Sequence, residues 1–327
     1  MKKRIFAVLI LCVALCMVLA GCSKKTGTSN KESGAKASAV KLRFVTGGEA
    51  GTYYAFGSVL AQHATNNAGI NVVGVVGNGS KSNVQELEDK NAELAFCQSD
   101  VMDYAYHGTN LFDAPITVFS TVAALYTEQV QVITLNPEIK TVADLKGRKV
   151  SIGAAGSGVY FNALDLLGAY GLTEADIVPT YQSFGDSADA LRDGKIDAAF
   201  IVAGAPTTAV VDLSTTKKVY LVGLDDEHIA ALIAKSPYYA KNIIKKDVYN
   251  TDNDVTTVAV GAVVLARNDV PEDAVYAFCK DIFENAPNLV STHAKYAELS
   301  LDYAASITSV PYHPGAKKYF AEKGFNL

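Results

Sequence analysis

Residues 46 to 57 read Thr-Gly-Gly-Glu-Ala-Gly-Thr-Tyr-Tyr-Ala-Phe-Gly, and the fold turns on how that stretch is understood. It follows an apolar strand pattern, Leu42 to Val45, and opens a helical pattern carrying Phe56, Val59 and Leu60. Glycines at a strand-to-helix turn free the backbone for positive φ and let a ligand approach bare amides. A helix that starts there leaves its first N–H groups unpaired and aims its dipole at the turn, which suits an anionic group. The glycine spacing matches neither a dinucleotide fingerprint nor a P-loop, because no Gly-Lys-Ser/Thr closes it. Alone, the stretch is a weak signal, better read as a tight turn with nothing bound.

A second copy decides between these readings. Residues 149 to 161, Lys-Val-Ser-Ile-Gly-Ala-Ala-Gly-Ser-Gly-Val-Tyr-Phe, again run from a short strand into a Gly-rich turn, and Leu164, Leu167 and Tyr170 continue as a helix. The likeness extends downstream. The first unit goes on with strand Ile70 to Val76, a turn at Asn78-Gly79-Ser80 capping a helix, and the strand ending Glu93-Leu94-Ala95-Phe96. The second goes on with Ile177 to Gln182, a capping turn Ser183 to Ser187, and the strand ending Asp197-Ala198-Ala199-Phe200. Two such units predict an α/β protein of two lobes, each offering strand ends and helix N-termini to a shared crevice.

Outside the repeats, Met1 to Leu19 has a basic start and a short apolar run, and Leu19-Ala20-Gly21-Cys22 closes it. This reads as a signal peptide over residues 1–21. The four closing residues resemble a bacterial lipobox, which implies a diacylated Cys22 at the mature N-terminus and a protein anchored to the extracytoplasmic side of the cell membrane. Residues 22–39 are rich in Lys, Ser, Gly and Thr, the composition of a flexible tether. The net charge of the 327-residue chain is −5, and loss of Lys2, Lys3 and Arg4 takes it lower still. With no basic cluster, nucleic-acid binding is excluded. Cys97 and Cys279 lie in apolar contexts and read as two buried free thiols, with a disulfide the alternative.

Phe119 to Leu135 and Thr256 to Arg267 are β-rich runs that carry the chain from one lobe to the other and back. Residues 40–128 plus 257–327 are therefore expected to form lobe 1 and 129–256 lobe 2, with two crossings as a hinge. A helix start is expected at Thr141 to Leu145, with Gly147 beyond its end. After Pro271, the spacing of Val275, Phe278, Ile282 and Phe283 predicts an amphipathic helix.

Several ordered motifs resemble one family: Gly51-Thr52-Tyr53-Tyr54, Gln98-Ser99-Asp100, residues 141–150 (TVADLKGRKV), 153–158 (GAAGSG) and 190–198 (ALRDGKIDA), Gly204-Ala205-Pro206, residues 271–276 (PEDAVY) and 313–316 (HPGA). They are similar to the TAXI family, the extracytoplasmic solute receptors of tripartite ATP-independent (TRAP) transporters. The resemblance runs from about residue 42 to the C-terminus. It implies a type II periplasmic-binding-protein fold with a closing cleft, no catalysis and no cofactor or metal. It further implies a glutamate-like small acid as ligand and delivery to a membrane-embedded TRAP permease; a monomer is expected.

Carried over by motif, the resemblance lines the cleft with Gly47, Tyr53, Tyr54, Gln98, Ser99, Ser157, Gly158 and Ala203-Gly204-Ala205-Pro206-Thr207; Glu49 and Ala50 form a spacer and are assigned no role. Asn78 and Ser80 join them as a helix start that either caps or binds; Tyr126 and Glu128 sit at the lobe crossing as hinge candidates first, with Tyr126 also counted among the ligand contacts. Glu128 becomes an ammonium acceptor if the ligand is an amino acid. Adjacent tyrosines on a helix point about 100° apart, so one of Tyr53 and Tyr54 contacts ligand and the other packs. Ser157 reads as an N-cap that also offers its hydroxyl to a carboxylate, and Asp100 as a cap of a helix starting at Val101. No Lys or Arg falls within the lining segments, which leaves an anion to helix N-termini and neutral donors unless Lys81 or Arg148 intrudes. The five histidines show no paired metal spacing, and neither a Gly-x-Ser-x-Gly elbow nor a His-Glu-x-x-His helix is present, which disfavours a secreted enzyme. A lipoprotein sensor for a membrane signalling partner shares the same cleft and differs only in its partner.

Overall fold

The computed structural model describes residues 40–110 and 112–327; the expected signal peptide, Cys22 and the expected tether lie outside the described residues. The first repeat folds as β1 (Lys41–Val45), α1 (Thr52–Asn67), β2 (Asn71–Val75), α2 (Ser80–Glu88), β3 (Leu94–Gln98) and α3 (Ser99–His107). β4 (Phe119–Thr134) leads to the second: β5 (Lys149–Ser151), α4 (Val159–Ala169), β6 (Val178–Thr180), α5 (Phe184–Arg192) and β7 (Ala198–Ala203). There follow α6 (Thr208–Ser214), β8 (Tyr220–Leu221), α7 (Asp226–Lys235), β9 (Ala240–Ile244) and α8 (Lys246–Tyr249). β10 (Val255–Arg267) returns to the first lobe, which α9 (Glu272–Leu289), α10 (Leu301–Ala304) and α11 (Pro314–Glu322) complete.

The strands run in the order β2-β1-β3-β10-β4-β7-β5-β6, with β9 on β10 and β8 on β4. From one edge the order is β2-β1-β3-β10-β4; from the other it is β6-β5-β7-β4-β10. The two halves thus repeat one topology, with the long antiparallel pair β4 and β10 exchanging roles between them. The pair is continuous through both halves, and at its centre Glu128 stands opposite Val260. β10 pairs with β9 as far as Ala259.

Helices cover both faces of each half, which is why the central strands read as unbroken apolar runs. In β3, Leu94 and Phe96 enter a core with Phe44, Phe56 and Phe278, while Ala95 and Cys97 enter another with Val84 and Met102. β7 divides likewise, Phe200 and Val202 packing with Leu166, Ile201 and Ala203 with Leu191 and Val210. Cys97 and Cys279 are buried as free thiols in separate cores. The helix expected at Thr141 is only a 3-10 turn, Val142–Leu145, held by a Thr141/Asp144 capping box. The chain reverses at Gly147, at φ 72°, and β5 begins at Lys149, which leaves no room for a longer helix.

Candidate functional site

The turns before α1, α2, α4 and α5 meet in one cavity of about 490 Å³ between the lobes. α1 and α2 come from lobe 1, α4 and α5 from lobe 2, so four helix N-termini direct amides and dipole ends at one space. All four turns follow the carboxyl ends of parallel strands, where α/β sheets place ligands.

The lobes are fastened over this space. Thr52 Oγ1 donates to the Gly204 carbonyl at 2.7 Å, the Ala209 amide to the Ala50 carbonyl at 3.1 Å, and the Ser82 amide to the Gly156 carbonyl at 2.9 Å. Beside the cavity, Gln98 Nε2 donates to Asn162 Oδ1 at 2.7 Å, and Asn162 Nδ2 to Asp100 Oδ2 at 2.8 Å and the Tyr239 hydroxyl at 2.7 Å. Phe161 of α4 packs into a lobe 1 core, its ring 5.7 Å from Tyr104 and 6.3 Å from Phe112. The approach is close enough that a Cβ on Gly158 would stand 1.3 Å from Gln98 Oε1, and one on Gly79 2.9 Å from Ser157 Cα.

Of the residues expected to line the cleft, Gly47, Tyr53, Asn78, Ser80, Gln98, Ser157, Gly158 and Ala203 do so. Tyr53 stacks on Phe96 at 4.5 Å and presents a buried hydroxyl without a hydrogen-bond partner. Tyr54 is half-buried and does not line the cavity. Ser157 is not the N-cap of α4: Gly158 holds that position, and the buried Ser157 Oγ is left without a partner in the cavity wall. Ser80 likewise caps nothing. Gly79, at φ 102°, is the N-cap, and Ser80 Oγ accepts from the Gln98 amide at 3.0 Å.

Six other expected contacts lie elsewhere, as does Asp100. Ser99 turns to the hinge, where its Oγ accepts from the Gly261 amide at 2.9 Å. Tyr126 is buried behind the cavity floor with the Lys295 ammonium 5.2 Å from its ring centre. Gly204, Ala205, Pro206 and Thr207 form a strap behind the wall: Ala205 donates to Gln129 Oε1 at 2.9 Å, and Thr207 Oγ1 accepts from Gln131 Nε2 at 3.0 Å. Asp100 lies in the first turn of α3, which starts at Ser99 rather than Val101, and serves the cross-lobe bond to Asn162 instead of a cap. Neither Lys81 nor Arg148 reaches the cavity; the Lys81 ammonium lies over Phe112 at 5.5 Å.

The sequence reading missed the lobe 2 wall made by Gln182, Ser183, Phe184, Gly185, Asp186 and Asp189, and in lobe 1 Glu49, Thr52 and Val76. A signal was present: Ser183 to Ser187 was recognised as a helix start equivalent to Asn78 to Ser80, so symmetry alone places both at the cleft. Glu49, Glu128, Asp186 and Asp189 all line the cavity, and no Lys, Arg or His does among the described residues. Glu128 is only 2 % exposed, and burial pushes its carboxyl up to about 8, with the Tyr53 hydroxyl and Lys295 opposing.

A family model described as NMT1-like matches residues 44–324. The chain belongs to the NMT1-like family. Its fold is similar to that of the alkanesulfonate-binding protein SsuA from Xanthomonas axonopodis pv. citri bound to MOPS, at 15 % identity and a TM-score of 0.50, over 87 % of this chain and 84 % of that one. A protein from Bordetella bronchiseptica RB50 is similar at 16 % identity and a TM-score of 0.52, over 86 % and 82 %. The NMT1-like chain thus has the α/β fold of type II periplasmic binding proteins. Among its described residues no helix is long and apolar enough to cross a membrane.

Proposed function

We propose that this NMT1-like protein is an extracytoplasmic solute receptor. It closes its lobes on a small carboxylate, glutamate or a related amino acid, and delivers it to a TRAP-type permease, held at the membrane by a lipid on Cys22. The observation that carries the reading is the convergence of four helix N-termini, two from each lobe, on one cavity. Its volume falls in the range of about 300–1,000 Å³ common for small-molecule sites. The unpartnered Ser157 and Tyr53 hydroxyls supply neutral donors there. The TRAP partner rests on the sequence motifs that resemble TAXI receptors. Ser157 has no histidine beside it in the cavity wall to act as a base, which supports binding over hydrolysis.

Mass spectrometry of small molecules released by denaturing the soluble domain should identify the solute. Stripped protein should then be stabilised by that solute in a thermal-shift panel of amino acids, dicarboxylates and sulfonates. A ligand at a hundredfold excess over Kd adds roughly 2.7 kcal/mol. No shift with any member of the panel would overturn the reading.

A further inference from the structure

At the floor of the cavity, where β4 and β10 cross between lobes, the Glu128 carboxyl group is buried and makes no ion pair among the described residues. Glu128 lines the cavity, and the groups facing it are known from every side. α1 contributes the Tyr53 hydroxyl and β3 the Cys97 thiol; Asp100 lies on α3, and Tyr126 on β4 itself. From the C-terminal segment come the Tyr303 hydroxyl and Lys295. Lys295 is the one cation among them, and it is engaged elsewhere. Its ammonium donates to the Ala205 carbonyl at 3.0 Å and pairs with Glu298.

A ligand held only as an anion would meet the like charges of Glu49, Asp186 and Asp189 in this cavity, and its binding would leave the Glu128 proton in place. The helix N-termini can take an anionic group, but Glu128, Glu49, Asp186 and Asp189 face the same space with no basic side chain between them. A purely anionic dicarboxylate is therefore badly matched, and a ligand with both signs is well matched. Resting on the receptor reading above, we propose that Glu128 and the unpartnered Tyr53 hydroxyl form a cation subsite that takes the ammonium group of an amino-acid solute.

A proton balance follows. Burial holds Glu128 up to about 8, so near pH 7 it carries a proton. Taking up R–NH3⁺ turns the carboxylic acid into a carboxylate paired with the ammonium, and the displaced proton goes to the buffer. Binding to this subsite thus releases close to one proton per solute, and affinity rises about tenfold per pH unit below about 8. The opposite arrangement, a neutral Glu128 donating to an anionic group, would give no release and an affinity that falls as pH rises.

The test uses stripped protein and the twenty standard amino acids, the best binder being compared with its own des-amino acid. Calorimetry from pH 6 to 9, in phosphate and in Tris, counts the protons released. The expected result is a preference of about tenfold or more for the amino acid, with release of about one proton at pH 7. In Glu128→Gln both the release and the preference should be lost while the melting temperature shows a folded protein. If that variant does not fold, the wild-type proton count decides alone. Equal binding of the des-amino acid, affinity falling as pH rises, or an unchanged proton count in folded Glu128→Gln would overturn the subsite and leave the receptor reading standing. Binding of des-amino acids without amino acids would do the same, and binding of neither overturns both.

Discussion

Asn162 offers a way to weaken closure without touching the cavity wall. It sits fully buried in the first turn of α4 and does not line the cavity. Two of its hydrogen bonds cross between lobes, from Gln98 at 2.7 Å and to Asp100 at 2.8 Å; the third, to Tyr239, stays within lobe 2. Asn162→Ala removes all three, but only the two crossing bonds would be broken by a separation of the lobes. A buried hydrogen bond contributes about 0.5–1.5 kcal/mol net, and one to a charged group about 1.5–3. Burial pushes Asp100 up to about 6, so near pH 7 it is mostly the charged acceptor. Separation of the lobes would rehydrate Gln98 and Asp100, so the closed form should lose on the order of 2 kcal/mol net. That is roughly a thirtyfold weakening of solute affinity if binding and closure are linked. Calorimetry gives the affinity, and small-angle scattering of the solute-saturated protein shows whether the loaded form still contracts. A folded Asn162→Ala protein with affinity within about twofold of wild type would refute the claim that this network holds the lobes together.

Four further outcomes are expected. Gly158→Ala should fold, since Gly158 has φ −70° and ψ −24°, but should lose solute binding by calorimetry by more than about tenfold, because the new Cβ collides with Gln98 in the closed form. Tyr53→Phe should weaken binding more than Tyr54→Phe, since only Tyr53 lines the cavity; equal losses in the same titration would contradict the geometry. Without solute, stability measured by urea unfolding should fall as pH rises from about 5 to 8. The folded state keeps on Glu128 a proton that the unfolded chain gives up near the ordinary 4.5, and Glu128→Gln should remove a slope on the order of 3 kcal/mol. Cys22→Ser should appear in the soluble fraction or remain unprocessed, and a normally processed, membrane-bound product would count against the lipid anchor.

How much of this could be read from the chain depends on the range of the physics involved. The Gly-rich turns, the doubled strand–helix order and the crossing strands were legible because each rests on local periodicity and turn chemistry, as in the Ser183 cap, which accepts from the Asp186 amide. Which turn residues face the cavity depends on lobe packing, and local reading does not place Ser99 or the strap from Gly204 to Thr207 behind the wall. Asp186 falls within the expected capping turn and Asp189 in the helix after it, and only the opposing lobe makes them walls.

Gly158 shows the limit most clearly. Its backbone lies in the ordinary right-handed helical region, so no argument from φ could explain a glycine there. The reason lies in Gln98, sixty positions earlier in the chain, whose Oε1 occupies the space a Cβ would need. Gln98 in turn is held there by Asn162 and Ser80, one from each lobe. A glycine required by closure rather than by conformation cannot be recognised from its own turn. The same geometry makes it a sharper probe of closure than any residue whose loss would also unsettle the turn it occupies.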